Sequence, residues 1–366
     1  MIDEAAVRAA LAAFRTQDDA ALPESMIDSV AVRDGMVQVA LSVAKTAAER
    51  LEPLRLRLEQ HLAGLKGVRN ATVMFTAPRA PGAGAAAGGG GHQHGAAAAP
   101  PPALLTQVKS IIAVASGKGG VGKSTVAVNL AVSLAAKGMS VGLLDADIYG
   151  PSLPRMLGTK GKPTLAGNKL VPIDAWGLKA ISIGHVVAEE TAMVWRGPMV
   201  LNALMQLMTG VEWPALDVMV IDLPPGTGDI QLTLAQRLKL TGAVVVSTPQ
   251  DIALLDARRG VSMFQQVRVP VLGIVENMSF FCCPKCGTRT EIFGHGGARA
   301  EAARIGVPFL GEVPLLPAIR ATSDEGTPIA VSAPDSEAGR AFAAVADAVA
   351  AQMGGVRTAG PRIVIE

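Results

Sequence analysis

The residues with the most chemistry to offer form one run, Gly117-Lys118-Gly119-Gly120-Val121-Gly122-Lys123-Ser124-Thr125. It satisfies the phosphate-binding pattern G-x-x-x-x-G-K-[ST]. In that pattern glycines let the backbone wrap closely enough for several N–H groups to point at phosphate oxygens. Apolar Ile111-Ile112-Ala113-Val114-Ala115 precedes the run as a strand, and Val126, Leu130 and Leu134 follow at helical spacing. Strand, glycine loop and helix is the setting in which such a match becomes a nucleotide site, the positive end of the helix facing the phosphates. Lys123 is then the cation on the β and γ phosphates, and the Ser124 hydroxyl a ligand for Mg²⁺. The pattern does not require Lys118. It is either a solvated surface charge or a group that reaches phosphates held by a neighbouring subunit.

Two acidic turns close apolar strands. Asp145-Ala146-Asp147 follows Val141–Leu144, and Asp222-Leu223-Pro224-Pro225-Gly226 follows Val218–Ile221. An aspartate at the end of a strand beside a phosphate loop commonly holds Mg²⁺. Asp222 suits that role best, and Asp145 is a second candidate for it. Asp145 or Asp147 would orient the attacking water. The plain alternative is that these carboxylates only cap helices. The segment Pro224-Pro225-Gly226-Thr227-Gly228 reads as a flexible switch that senses the γ-phosphate.

The three cysteines, Cys282, Cys283 and Cys286, lie within five residues of one another. That distribution is wrong for a disulfide framework. Thiolates three apart can share one soft metal centre, but two cannot close a four-coordinate site. A Cys₄ site therefore requires a second subunit. An iron–sulfur cluster, an intersubunit zinc and a redox C-x-x-C all remain open on the residues alone.

These groups need elements to position them. The runs Val141–Leu144, Val218–Ile221, Ala243–Val246 and Val271–Val275 read as parallel strands buried on both faces, with helices between them. This is an α/β doubly wound, mostly parallel sheet with its site at the carboxyl ends of the strands. We expect that ATPase domain over residues 104–366, a Gly/Ala/Pro linker over 80–103, and a small α+β interaction domain over 1–79. The small domain reads helix, hairpin through Asp34-Gly35, helix, strand. His92 and His94 lie in the linker, where metal binding would have to overcome the ordering entropy of the tether.

A net charge of +2 gives no basic field for nucleic acid, and no apolar run approaches the roughly 20 residues that span a bilayer. The acidic start Met1-Ile2-Asp3-Glu4 has no secretory pattern. A cytoplasmic location, without nucleic-acid or membrane partners, is the expectation.

The extra Lys118, the Asp145-Ala146-Asp147 turn and the Asp222-Leu223-Pro224-Pro225-Gly226 segment resemble the MinD/ParA group of P-loop ATPases. Trp195-Arg196-Gly197-Pro198-Met199, Glu276-Asn277-Met278-Ser279 and Cys283-Pro284-Lys285-Cys286 narrow the resemblance to the Mrp/ApbC iron–sulfur cluster carriers. The resemblance implies an ATP-hydrolysing homodimer with a 4Fe–4S cluster bridged by Cys283 and Cys286 of each subunit. It also implies that Lys118 acts on the partner's nucleotide and that Asn277 contacts adenine. Upstream cluster assembly proteins and recipient apo iron–sulfur proteins would be its partners. A MinD/ParA-like positioning ATPase is the alternative, but the helix around Ala338–Met353 carries little positive charge for membrane or DNA attachment. Cys282 is additional to the family pair and reads as a spare thiol, a transient ligand or a small buried residue.

Overall fold

The computed structural model describes residues 4–14, 22–33, 36–43, 48–65, 67–68, 70–76, 104–159, 161–187 and 197–355. The Asp34-Gly35 turn, the linker with His92 and His94, and Trp195-Arg196 lie outside the described residues. The chain divides into two compact units, Met1–Ala97 and Ala98–Glu366.

The smaller unit runs α1 (Glu4–Ala13), β1 (Ile27–Arg33), β2 (Met36–Ser42), α2 (Ala48–Ala63) and β3 (Asn70–Thr76). β1 pairs antiparallel with β2, and β3 returns parallel to β2 after α2 crosses over. Alternate strand residues Val37, Val39, Leu41 and Val73 meet Leu58 and Leu62 of α2 and Val7 and Leu11 of α1 in one core. The period of two along the strands and the three-to-four spacing along the helices bring these side chains together.

The larger unit begins with β4 (Val108–Ala115), α3 (Lys123–Ala136), β5 (Val141–Asp145), α4 (Leu153–Met156), β6 (Leu165–Ala166), β7 (Lys169–Leu170), β8 (Ile173–Ala175) and β9 (Leu178–Ile181). It continues with α5 (Gly197–Thr209), β10 (Leu216–Asp222), α6 (Asp229–Arg237), β11 (Gly242–Ser247), α7 (Asp251–Gln266) and β12 (Val271–Asn277). It ends with β13 (Phe281–Cys282), β14 (Arg289–Thr290), α8 (Gly297–Ile305), β15 (Phe309–Val313), α9 (Pro317–Asp324), α10 (Ile329–Ser332) and α11 (Glu337–Gly355).

Its main sheet has the order β15-β12-β11-β4-β10-β5-β9-β8, parallel except for the edge strand β8, which pairs antiparallel with β9. The chain steps from β4 to β5 on one side of β4 and from β10 to β11 on the other, so the loop after β4 opens at the point where the strand order reverses. Alternation along β4 explains why its run is apolar throughout. Ile112 and Val114 pack into the core beneath α3 and α11, whereas Ile111, Ala113 and Ala115 face the opposite core with Leu204 and Phe264. Both faces are covered, as a parallel sheet requires.

α3 is nearly all buried because it is the central helix of the first face. It stops at Lys137, and Gly138 takes φ +85°, the left-handed turn that ends a helix cheaply only with glycine. α11 packs on α3 and β15, and its Phe342 is fully buried in the same core. Phe342→Ala should lower the unfolding free energy of the larger unit by about 3–5 kcal/mol, because it removes a fully buried ring and leaves a cavity in the core. Chemical denaturation measures this, and a loss below about 1 kcal/mol would show that α11 is not part of the core.

Candidate functional site

The loop that follows β4 curls under two left-handed glycines, Gly120 at φ +81° and Gly122 at φ +79°. Gly122 is also the N-cap of α3. A Cβ there would sit 2.2 Å from the Asn277 amide nitrogen, and one at Gly117 would sit 2.2 Å from the backbone of Asp256 on α7. Gly122 is therefore required by close approach as well as by conformation, and Gly117 by close approach. A Cβ at Gly119 would meet nothing among the described residues. Asn277 donates to the Val121 carbonyl at 2.8 Å, tying the end of β12 to the loop.

Lys123 lies buried at the start of α3. Its ammonium donates to Asp222 Oδ1 at 2.5 Å and lies 3.3 Å from the Ser124 hydroxyl. Asp222 is fully buried, and its Oδ2 has no partner among the described residues. That leaves an unused carboxylate oxygen beside Ser124 and Lys123, the donor type that suits a hard cation. Asp145 stands opposite Asp222 across the β10–β5 register. Burial, and then the charge of Asp222, raise the Asp145 carboxyl from 3.8 to about 7. Its oxygens accept from the Asp147 amide at 3.0 Å, the Leu153 amide at 3.4 Å and the Ser182 hydroxyl at 2.9 Å. Asp147 is half-buried, and burial raises its pKa as well. The structure thus gathers Lys123, Ser124, Asp145, Asp147 and Asp222 at one end of the sheet.

Pro224-Pro225-Gly226 is less free than its composition suggests. The Gly226 amide donates to the Ser116 carbonyl at 2.9 Å, and Gln231 holds the Pro224 and Pro225 carbonyls. Lys118 is half-buried, and its ammonium has no partner among the described residues. A cavity of about 380 Å³ adjoins the loop, lined among others by Gly122, Thr125, Asn277, Leu316, Arg320 and Asp324. Its size and mixed walls suit a nucleoside.

The cysteines sit on the short β13–β14 hairpin. The Cys283 amide donates to Thr288 O at 3.0 Å and the Gly287 amide to Cys283 O at 2.8 Å. Gly287 takes φ +71° to close the knuckle. Cys286 is exposed, 3.1 Å from the Thr288 hydroxyl. That hydroxyl, nearby backbone donors and Cys283 lower its pKa. Cys282 points elsewhere and donates to Glu337 Oε1 at 3.7 Å. Partial burial and the Glu337 carboxylate raise its pKa. The hairpin therefore separates Cys283 and Cys286, in its turn, from Cys282, which faces Glu337.

Several residues support the site without a chemical role assigned to them from the sequence. Ser182 and His185 support Asp145, Asp256 buttresses Gly117, and Glu276 joins β12 to α8. Only Glu276 had a local signal, its place beside Asn277. The others depend on contacts between distant stretches of chain.

The family model of ParA, described as NUBPL iron-transfer P-loop NTPase, matches residues 107–350. The chain belongs to this family. It is 56% identical over 248 residues to the iron-sulfur cluster carrier protein of Escherichia coli (strain K12), covering 67% of each chain. It is 55% identical over 237 residues to the mitochondrial iron-sulfur protein required for NADH dehydrogenase of Arabidopsis thaliana, covering 64% of this chain and 76% of that one. Among solved structures, the nucleotide-binding protein of Archaeoglobus fulgidus in complex with ADP superposes with a TM-score of 0.55 at 41% identity, over 61% of this chain and 88% of that one. The cell division ATPase MinD of Pyrococcus furiosus shares the fold, with a TM-score of 0.51 at 22% identity over 66% and 99% of the two chains. The chain is thus a P-loop NTPase of the iron-transfer family on a MinD-like α/β fold. Among the described residues no helix is long and apolar enough to cross a membrane.

The groups beside the phosphate loop make a pH prediction. Burial lowers the His185 pKa from 6.5 to about 4. Between those values the unfolded chain takes up a proton that the folded chain refuses, so His185 costs stability as pH falls. Asp145 acts oppositely: the folded carboxyl protonates near 7 and the unfolded one near 3.8, so it adds stability as pH falls through that window. In nucleotide-free, Mg²⁺-free protein, His185→Gln should remove the first effect and leave the second. Relative to the parent, its stability should rise as pH falls from 6.5 to 4, measured by denaturant midpoints. Parallel curves for the two proteins would contradict the assignment.

Proposed function

We propose that this protein carries an iron–sulfur cluster, 4Fe–4S, to apoproteins, and that ATP binding and hydrolysis are coupled to its delivery. The observation that carries the reading is the Cys283-x-x-Cys286 knuckle, half-buried at Cys283 and exposed at Cys286, in a chain whose remaining cysteine is turned toward Glu337, joined through β12 to a phosphate loop. The names of the E. coli and Arabidopsis relatives point the same way.

Two sulfurs per chain cannot saturate a cluster, so the cargo is bridged by Cys283 and Cys286 of two copies in a homodimer. Upstream assembly proteins supply the cluster and apo iron–sulfur proteins receive it. The backbone of Gly117–Thr125 wraps the phosphates, Lys123 meets the β and γ phosphates, and Asn277 lies in the wall of the cavity that takes the adenine side. Mg²⁺ would be held by Ser124 and Asp222, with Asp145 behind them, and the unpartnered, buried Asp222 Oδ2 fits that group. When bound, the cation neutralises charge on the transferring phosphoryl group.

Lys123 then leaves its exclusive pairing with Asp222 and shares its charge with the phosphates. Asp147, partly desolvated, orients the attacking water. Lys118, free of any partner within the described residues, places its ammonium on the nucleotide across the dimer. Hydrolysis needs positioning and charge rather than covalent help, so residues from both subunits can tie the nucleotide state to dimer geometry.

Two measurements test this. After anaerobic reconstitution with iron and sulfide, the parent should hold about four irons per two chains and the Cys283→Ala/Cys286→Ala variant none. Equal iron in both would sink the carrier reading, and zinc in place of iron would make the site a structural clamp. Lys118→Ala should slow ATP turnover by a factor on the order of 10³, as loss of a charge finger does, with the fold intact. Unchanged turnover would show Lys118 to be a surface charge.

A further inference from the structure

Glu276 has a fully buried side chain at the carboxyl end of β12, next to Asn277. Its carboxylate accepts from the Ser279 hydroxyl at 2.6 Å and from the Gly296 and Ala298 amides, which open α8, at 3.1 and 2.7 Å. The Ser279 oxygen also lies 3.3 Å from Glu312 Oε2 on β15 and 3.3 Å from His295 Nδ1. Arg289 completes the group from β14. A guanidinium can only donate, so His295 Nδ1 accepts from it at 3.2 Å. Arg289 also lies 3.9 Å from Glu312 Oε1, and its guanidinium rests 3.6 Å from the Phe280 ring centroid. In the hairpin register Arg289 stands directly opposite Cys282, one residue before Cys283.

Glu276, His295 and Glu312 have metal-ligand spacing, with their ligand atoms within 4.8 Å of one another. The group is better read another way. Both Glu276 oxygens are already used by three donors, and Arg289 supplies the positive charge. We propose that this group is a positioning latch, with Arg289 as its detachable arm, that couples nucleotide occupancy to the geometry of the Cys283–Cys286 pair. This rests on the cluster-carrier reading above and names how its two ends communicate.

The path is short and physical. A shift of Val121 on phosphate binding passes to Asn277 through the 2.8 Å hydrogen bond, and one residue along the strand to Glu276. Glu276 and Ser279 form the fixed half. They are buried and fully bonded, so a partly broken arrangement there is costly. His295, Glu312 and Arg289 form the releasable half. The Arg289 side chain is 43% exposed, so water can replace its partners without leaving a buried charge. A rigid half joined to a releasable half gives the hairpin two discrete settings, which nucleotide and cluster can both bias.

Reciprocity makes this testable: if the latch couples the two sites, the cluster changes nucleotide affinity by the same factor that nucleotide changes cluster affinity. The experiment is calorimetric titration of Mg²⁺ and a non-hydrolysable ATP analogue into cluster-free and reconstituted full-length protein. The parent's two Kd values should differ by at least about fivefold. In Arg289→Gln and in His295→Ala the ratio should fall below about twofold, while iron content and the cluster-free Kd stay at parental values. Both variants keeping the parental ratio would overturn the latch, as would a parental ratio of one. Loss of iron from the variants would also overturn it, because it would make Arg289 a structural support of the cysteine knuckle. A parent that holds no iron would instead remove the carrier reading itself.

Discussion

The buried pair of Lys123 and Asp222 is the constraint on which the site depends. Both groups lie out of solvent, at 6% and 0% side-chain exposure, and each is tolerable only because the other is there. Keeping them 2.5 Å apart fixes the first turn of α3 against the end of β10. That in turn fixes the glycine loop between β4 and α3. The pairing of β10 with both β4 and β5 then brings Asp145 alongside. Burial, and then a second carboxylate so close, raise its proton affinity, while hydrogen bonds from Ser182 and the Asp147 amide act against that rise. The resting site is thus an internal salt bridge occupying the place where phosphate charge would act.

The elements around that pair were largely legible in the sequence, because their signals are local. β4, β5, β10, β11 and β12 announce themselves as apolar runs, and the loop by its glycines. What the sequence did not disclose comes from distance along the chain. Asp256 lies against Gly117, and Asn277 reaches Val121, only because the order of the parallel strands sets β11 beside β4 and β12 beside β11. Two-residue strands such as β6, β7, β13 and β14 are too short to show a period. The Pro224-Pro225-Gly226 segment reads as flexible from its composition, whereas a backbone bond to Ser116 and the Gln231 amide hold it.

The two chemical ends of the molecule differ in how completely one chain provides them. The phosphate end is nearly self-contained, save for Lys118, whose charge has no counterpart among the described residues. The sulfur end, on the proposed reading, is half a site. Cys283 and Cys286 share one knuckle, while Cys282 is drawn toward Glu337 at the start of α11. In the proposed carrier, an incomplete ligand set and an unspent cation are both completed by the same second copy. β12 links them, carrying Asn277 toward the loop and leading directly into the hairpin.

That shared demand is the centre of the account, and native mass spectrometry of the anaerobically loaded protein tests it most directly. Iron and sulfide are expected only on a species of two chains, as one 4Fe–4S cluster per pair. Cluster retained on single chains, or a loaded pair whose added mass is zinc, would contradict it.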